Sequence, residues 1–226
     1  MIRNYLITAL RNLARHKLYS FINIAGLAVG LACAVFIILF LRDELSYDAW
    51  IPDTQNLYRV ESVFTPPGID PAFFTVTPFP VPPTMLAEIP GVVAQTHLIP
   101  NNFTAKVGDR QFPVNVDAAD PNFFQVIRLP FVRGNPAIAL AQPESIVLTQ
   151  AAAKKFFGAA DPIGRTVTLD GAHALTVTGI LRDLPHNTQL DIDMVMPNTS
   201  KADPMPERAK QSWLNVEGWG YVKLAP

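Results

Sequence analysis

Residues 158–166, GAADPIGRT, hold two glycines, an arginine and a threonine, which are residue types found in phosphate-binding loops. A nucleotide-binding P-loop has the spacing G-x-x-x-x-G-K-[ST], and its lysine reaches the phosphates. Here five residues separate Gly158 from Gly164, and Arg165 stands where the lysine should be. The flanks are also reversed, because the loop follows a helix-like AAAKKFF and precedes a strand-like RTVTL. We therefore predict a helix end and a turn into a strand, not a nucleotide site.

Other patterns with catalytic or metal-binding spacing are missing. The sequence has no G-x-S-x-G, and three histidines, His97, His173 and His186, lack the spacing of metal ligands and are predicted to be surface or partly buried. Asp191 and Asp193 alternate in DIDM, which predicts one face of an edge strand that charges keep soluble. The sequence thus predicts no catalytic, cofactor-binding or metal-binding residue, no cofactor and no enzyme activity.

The longest apolar run lies between Lys17 and Arg42, where residues 18–41 contain no charge. As a helix, this run would be about 36 Å long. The hydrocarbon core of a bilayer is about 30 Å thick. A cleaved signal peptide has a shorter apolar region that ends at small residues. We predict an uncleaved transmembrane helix over 18–41, with a cleaved signal and a buried helix as the alternatives.

The charges on either side of this run differ in sign. Four basic residues and no acid precede it, namely Arg3, Arg11, Arg15 and Lys17. Fourteen basic and all nineteen acidic residues follow it, which gives residues 42–226 a formal net charge of −5. The positive-inside rule places the N-terminus in the cytoplasm and residues 42–226 outside. An acidic outer domain also argues against a nucleic-acid partner.

The N-terminal segment, residues 1–17, has apolar residues at helical spacing with arginines between them. It is predicted to be a cytoplasmic amphipathic helix whose Arg3, Arg11, Arg15 and Lys17 contact the membrane surface. The alternative is a simple helical extension of the span. Within the span, Gly26 and Gly30 form a GxxxG pair, extended by further small residues, which predicts a face that packs against other helices.

The outer region, 42–226, mixes short strand and helix patterns without a regular βαβ rhythm, which predicts the α+β class. Strands are expected at 58–65, 92–99, 103–108, 111–118, 145–149, 165–169, 174–182 and 219–224, with helices at 84–88, 121–125 and 150–157. Seven prolines in 66–83 indicate a long extended loop. A boundary within 134–144 is predicted to divide the region into two lobes. The paired phenylalanines at 73–74, 123–124 and 156–157 are expected in the core.

Several runs, taken together and in order, resemble the FtsX/MacB-type ABC transporter permeases. The first are LRNLARHKLYSFINIAGLAVGLA, LRDELSYDAW and NLYRVE. The later ones are DPNFFQV, FVRGNP, ESIVLTQAAAKKFFGAADPIGRTVTLD and VTGILRDLPHNTQLDID. Residues 42–226 are similar to the MacB-like periplasmic core domain that these permeases insert after their first membrane helix.

The resemblance implies the N-terminal part of a permease subunit in the bacterial cytoplasmic (inner) membrane. Such a subunit is not itself catalytic and couples ATP hydrolysis by a partner to work by the periplasmic domain on exported or membrane-extracted substrates. The expected partners are a cytoplasmic ABC ATPase, the membrane and the remaining permease helices or a second permease half. An extracytoplasmic adaptor or lipoprotein is a further candidate.

Permeases of this family continue into three more membrane helices after the outer domain, whereas this sequence stops at GYVKLAP. A piece of a longer permease or a truncated product is therefore expected. The alternative function is a stand-alone, single-pass protein whose outer domain binds or senses a ligand.

Overall fold

The computed structural model describes the backbone of residues 2–225 and the side chains in that range, except those of Ile2, Arg3, Leu6, Ala9 and Leu10. The chain divides into two compact units, the first ending at Tyr47 and the second beginning at Asp48. The first unit is helical. The second contains the strands and the short helices, which confirms the predicted α+β class with one N-terminal apolar helix.

The first unit contains two helices, α1 (Ile2–Arg15) and α2 (Lys17–Leu45). The backbone leaves helical geometry at His16, where φ is −112° and ψ is 57°. The Ser20 hydroxyl donates a hydrogen bond to the Leu13 carbonyl across this break, at 3.1 Å. The N-terminal segment is therefore a separate helix and not a continuous extension of the apolar helix.

The second unit is built on twelve strands in the described part of the chain. They are β1 (Leu57–Val60), β2 (Ser62–Phe64), β3 (Ala72–Phe74), β4 (Val92–Ile99), β5 (Asn102–Val107), β6 (Arg110–Ala119), β7 (Phe131–Arg133), β8 (Ser145–Thr149), β9 (Thr166–Leu169), β10 (His173–Leu181), β11 (Met194–Pro197) and β12 (Trp219–Leu224). The helices are α3 (Val81–Glu88), α4 (Phe123–Val126), α5 (Gln150–Phe157) and α6 (Glu207–Lys210). Ten strands form one sheet, and β2 and β3 form a separate hairpin.

The large sheet closes on itself through the pairing of β5 with two strands. Starting from β6, the strands are paired in the order β6, β11, β8, β10, β9 and β5, and β5 pairs again with β6. The closing pair is antiparallel and runs from Asn102 opposite Asn115 to Val107 opposite Arg110. The C-terminal end of β6 pairs with β4 instead, from which the sheet continues through β12 to β1. The result is a ring of six strands with a three-stranded extension, and the tenth strand, β7, pairs with β10.

Alternate side chains of the six ring strands belong to one hydrophobic cluster, as the period of two in a strand requires. On β6 these are Val114, Val116 and Ala118. Helix α5 contributes Phe156 and Phe157 to the same cluster. The opposite faces of four of these strands, β6, β8, β10 and β11, pack in a second cluster with α4, whose Phe123 and Phe124 are buried.

Several predicted elements differ from the structure. The boundary expected within 134–144 is wrong, because the strands before and after it, β7 and β8, pair with the same strand, β10. The proline-rich range 66–83 is not one extended loop, since it contains β3 and the start of α3. Phe73 is 77% exposed and Phe74 is 39% exposed, so this phenylalanine pair is not in the core.

We predict that Gly134→Ala destabilises the outer unit by about 2–4 kcal/mol. Gly134 has a φ of +92°, and an added Cβ would lie 2.6 Å from the Thr178 carbonyl oxygen and 2.8 Å from the Gly179 Cα. The matched control is Gly68→Ala, at a φ of +79° with nothing within 4 Å. It carries the conformational cost alone, about 1 kcal/mol. Urea unfolding of both variants measures the difference, and equal losses would contradict the close approach at Gly134.

Candidate functional site

The GAADPIGRT loop is a structural turn, as the sequence predicted. Helix α5 ends at Phe157, and Gly158 (φ 64°) donates its N–H to the Lys154 carbonyl at 2.9 Å. Gly164 (φ 75°) donates its N–H to the Val177 carbonyl at 2.8 Å, which ties the loop to β10. Both N–H groups are therefore used within the fold and are not available to a phosphate.

An ion pair closes this loop on its outer side. The Asp161 Oδ1 accepts hydrogen bonds from the Arg133 guanidinium at 2.6 Å and from the Ile163 N–H at 3.1 Å. The hydrogen bond from Arg133 is the main reason why the pKa of Asp161 lies below its ordinary value. Both side chains are at least half exposed, so the pair adds little stability. It fixes the turn that leads into β9.

His97 is fully buried on β4, which corrects the prediction of a surface or partly buried residue. Its Nδ1 lies 2.8 Å from the Asp120 Oδ2, and its Nε2 lies 3.0 Å from the Phe79 carbonyl oxygen. The imidazole also stacks on the Phe79 ring, with 3.9 Å between centroids. Both ring nitrogens are engaged within the fold. His97 therefore fastens the loop before α3 to the sheet and offers no free nitrogen for chemistry.

Asp191 and Asp193 do not lie on an edge strand, so that prediction is wrong. They precede β11, which pairs on both sides, with β6 and with β8. Both carboxylates accept hydrogen bonds from Asn115 on β6. The Asn115 side-chain amide donates to Asp191 at 3.0 Å, and its backbone N–H donates to Asp193 at 3.2 Å.

The sequence analysis missed a third carboxyl near this pair, that of Asp117. This side chain is 2% exposed, two residues after Asn115 on β6. Burial raises its pKa from 3.8 to about 8, with further increases from the charges of Asp191 and Asp193. A hydrogen bond from the Asn101 backbone opposes the rise. Among the described residues, no group of three or more His, Cys, Asp or Glu side chains could hold a metal ion.

The GxxxG pair lies on an open face of α2. A Cβ added at Gly26 or at Gly30 would meet nothing within 4 Å. Helical geometry places these two glycines about 40° apart around the axis, whereas Ala28 lies about 200° from Gly26. The alanines expected to extend the glycine face therefore form a separate stripe. Packing through Gly26 and Gly30 stays a prediction.

Helix α2 is long and apolar enough to cross a membrane, and its most apolar window is unburied in this chain. The basic side chains Arg11, Arg15 and Lys17 are exposed on the flanking segment, and that of Arg3 lies outside the described side chains. Contact of these residues with lipid headgroups stays a prediction.

The β2–β3 hairpin, residues 62–74, exposes several large apolar side chains of the second unit. Val63 pairs with Phe73 across the two strands, and these side chains are 53% and 77% exposed. Ile69 at the hairpin tip is 70% exposed. Contiguous exposed apolar side chains of this kind are typical of interaction sites. We call residues 62–74 the apolar hairpin.

The second unit has the fold of a solved permease domain. It is similar to a domain of a protein named as a candidate permease of Porphyromonas gingivalis, with a TM-score of 0.67 and 24% identity over 78% of this chain and 76% of that one. Two further structures match less closely. They are the periplasmic region of MacB from Actinobacillus actinomycetemcomitans and the extracellular domain of the ABC-type transporter YknZ from Gram-positive bacteria.

The MacB region has a TM-score of 0.48 and 18% identity over 63% of this chain and 62% of that one. The YknZ domain has a TM-score of 0.46 and 18% identity over 63% and 71%. The family model of the MacB-like periplasmic core domain matches residues 20–226. The chain therefore belongs to this family, which is a component of ABC transporter permeases. No curated protein matches the chain significantly.

We predict that Asp117→Asn raises the free energy of unfolding at pH 8 by about 2 kcal/mol or more, and changes it little near pH 4. The folded state holds the Asp117 proton up to a pKa of about 8, whereas the unfolded chain releases it near 3.8. The wild type therefore loses stability as the pH rises from 4 to 8, and the amide removes this loss. Urea unfolding followed by tryptophan fluorescence measures the effect, with the exposed Asp109→Asn as control. An equal gain at both pH values would contradict the shift.

Proposed function

We propose that this chain is the N-terminal part of an ABC transporter permease subunit. Helix α2 anchors the outer domain in the cytoplasmic membrane and transmits to it the motion driven by a partner ATPase. The carrying observation is that the match to a family found in ABC permeases, residues 20–226, includes most of a helix able to span a membrane together with the whole second unit. The subunit itself carries out no chemistry.

The charges support the proposed orientation. Arg11, Arg15 and Lys17 lie on the N-terminal side of the span, and the acids begin directly after it with Asp43 and Glu44. The positive-inside rule then puts α1 in the cytoplasm, where an ATPase would be. The outer domain carries the excess of acids, and it would meet the substrate or a partner protein outside.

The geometry of the outer domain favours a function that depends on contact with another molecule. The GAADPIGRT loop and His97 have their polar groups engaged within the fold, as described above. The apolar hairpin, in contrast, exposes large side chains to solvent. A domain that acts on a partner by direct contact needs an exposed binding surface and a well-packed core that supports it. The apolar hairpin offers the surface, and the closed ring of strands encloses the core.

The glycine face of α2 supports packing against further permease helices. A bilayer provides little hydrophobic drive for helix association, so close backbone approach at small residues is favoured. Gly26 and Gly30 have no side chains, and no described atom lies within 4 Å of a Cβ added at either position.

The experiment is to purify the tagged protein from its native membranes under mild detergent and to measure ATP hydrolysis in the eluate. We predict vanadate-sensitive hydrolysis with the wild type. The double variant Gly26→Leu and Gly30→Leu should lower it about tenfold, the effect of losing roughly 1.4 kcal/mol of helix packing. The outer domain should stay folded, because these residues lie in the other compact unit.

The matched control is Ala28→Leu, which adds a larger side chain on a different face of the same helix. It should leave the hydrolysis close to the wild-type level. No hydrolysis with the wild type would contradict the ATPase partnership and favour a stand-alone binding protein. Equal losses in the double variant and in the control would contradict a specific role of the glycine face.

A further inference from the structure

The buried ring of His97 on β4 has an oxygen atom within hydrogen-bond distance of each of its nitrogens. The Asp120 Oδ2 lies 2.8 Å from Nδ1, and the Phe79 carbonyl oxygen lies 3.0 Å from Nε2. A backbone carbonyl and an ionised carboxylate accept hydrogen bonds and cannot donate them. A neutral imidazole carries one N–H and could therefore bond only one of these oxygens. Both hydrogen bonds form together only when the site holds one further proton.

The surroundings of Asp120 place this proton on the ring. Its Oδ2 also accepts a hydrogen bond from the His97 backbone N–H at 3.0 Å, and its Oδ1 accepts one from the Asn198 side-chain amide. Hydrogen bonds donated to both oxygens favour an ionised carboxylate. The imidazole also stacks on the Phe79 ring, and an aromatic face attracts a positive charge. The arrangement thus fits a doubly protonated ring that is paired with the Asp120 carboxylate.

Residues 75–80, which we call the linking segment, connect β3 of the apolar hairpin to α3. Besides its contact with His97, two further hydrogen bonds hold this segment. The Thr77 N–H donates to the Gly218 carbonyl at 3.3 Å, and the Ser62 hydroxyl donates to the Thr77 Oγ1 at 3.3 Å. Both are longer than typical hydrogen bonds of their kind, whereas a bond from a charged donor is stronger than a neutral one. The contact with His97 is therefore a principal attachment of the linking segment.

Few ionisable groups lie around the ring. Residues 75–87, which contain the linking segment and most of α3, have none. The strand registers put Asp117 of β6 and Tyr221 and Lys223 of β12 on the opposite face of the sheet. Other charged side chains on the neighbouring segments are those of Lys201, Arg208 and Glu217, which are exposed, and those of Asp203 and Glu207, which both pair with Lys210. Among the described residues, Asp120 is thus the charged group in contact with the ring.

We infer that protonation of His97 controls the attachment of the linking segment to β4. With both ring nitrogens protonated, the side chain donates to the Asp120 carboxylate and to the Phe79 carbonyl. Loss of one proton leaves a nitrogen lone pair facing an oxygen lone pair, so one of the two hydrogen bonds is lost. Because the protonated form makes the additional bond, the attachment is complete in mildly acidic solution and weakens as the pH rises. Histidine suits this role, since its charge ordinarily changes between about pH 5 and 8.

The linking segment continues directly into the apolar hairpin. Ser62, at the base of the hairpin, pairs with Phe74 and also donates its hydroxyl hydrogen bond to Thr77. Release of the linking segment therefore loosens the position of the hairpin on the sheet. This control involves the second unit alone and does not depend on the proposed function.

Hydrogen exchange of the full chain in lipid nanodiscs, read by mass spectrometry at about pH 5 and about pH 8, tests the inference. Rates are divided by the intrinsic exchange rate at each pH, and an Asp117→Asn background removes the other buried group that titrates in this range. We predict that the protection of residues 75–87 falls at least about tenfold at the higher pH, as expected when one hydrogen bond to a charged group is lost. Protection of the fully buried β8 should change by less than about twofold.

The matched variants are His97→Gln, which has no titrating ring, and His173→Gln, which removes a half-buried histidine on β10. Residues 75–87 of the His97→Gln protein should be equally protected at both pH values, whereas His173→Gln should keep the full change. If His97→Gln does not fold, the comparison of residues 75–87 with β8 in the protein that retains His97 still decides. Equal or greater protection of residues 75–87 at the higher pH would overturn the inference. An equal loss at β8, or an unchanged pH dependence in His97→Gln, would also overturn it.

Discussion

The double pairing along one edge of β6 is the constraint on which the second unit depends. The first half of this strand pairs with β5 and closes the ring, whereas its last residues pair with β4 and start the extension. The same strand thus belongs to the ring that encloses the core and also pairs with β4, the first strand of the extension that continues through β12 to β1. Closure also removes the exposed edges that a six-stranded sheet would otherwise present to other chains.

The same strand carries a buried carboxyl group, that of Asp117. Asp117 is buried on the face of β6 opposite Val116 and Ala118, with two further carboxylates, those of Asp191 and Asp193, raising its pKa. A buried carboxyl of this kind is tolerated because it can keep its proton at neutral pH. Asp117 therefore contributes stability that is lost as the pH rises towards its folded-state pKa of about 8.

Local patterns predicted most of the strands and the role of GAADPIGRT. Gly158 and Gly164 terminate elements through backbone geometry alone, which a short stretch of sequence encodes. Ring closure could not be predicted in this way, because besides its pairing with β6 it requires β5 to pair with β9, about sixty residues later in the chain. The family resemblance supplied the class of the domain but none of these contacts.

The errors concern residues whose surroundings come from distant parts of the chain. Asp191 and Asp193 alternate as strand residues do, yet hydrogen bonds from Asn115 hold them outside any strand. Phe73 has the hydrophobicity of a core residue, but it is 77% exposed on a hairpin that pairs with no other strand within residues 2–225. His97 is buried with one ring nitrogen near the Asp120 carboxyl and the other near the Phe79 carbonyl, which no local spacing reveals.

The proposed function requires α2 to cross the membrane and the second unit to lie outside the cytoplasm. The most direct measurement is labelling of intact spheroplasts with a membrane-impermeant maleimide, in a Cys33→Ser background that has no other cysteine. Asp109→Cys on the outer unit should be labelled at once, and Thr8→Cys on α1 only after permeabilisation. Labelling of Thr8→Cys in intact spheroplasts, with Asp109→Cys protected, would contradict the proposed orientation and with it the coupling of the outer domain to a cytoplasmic ATPase.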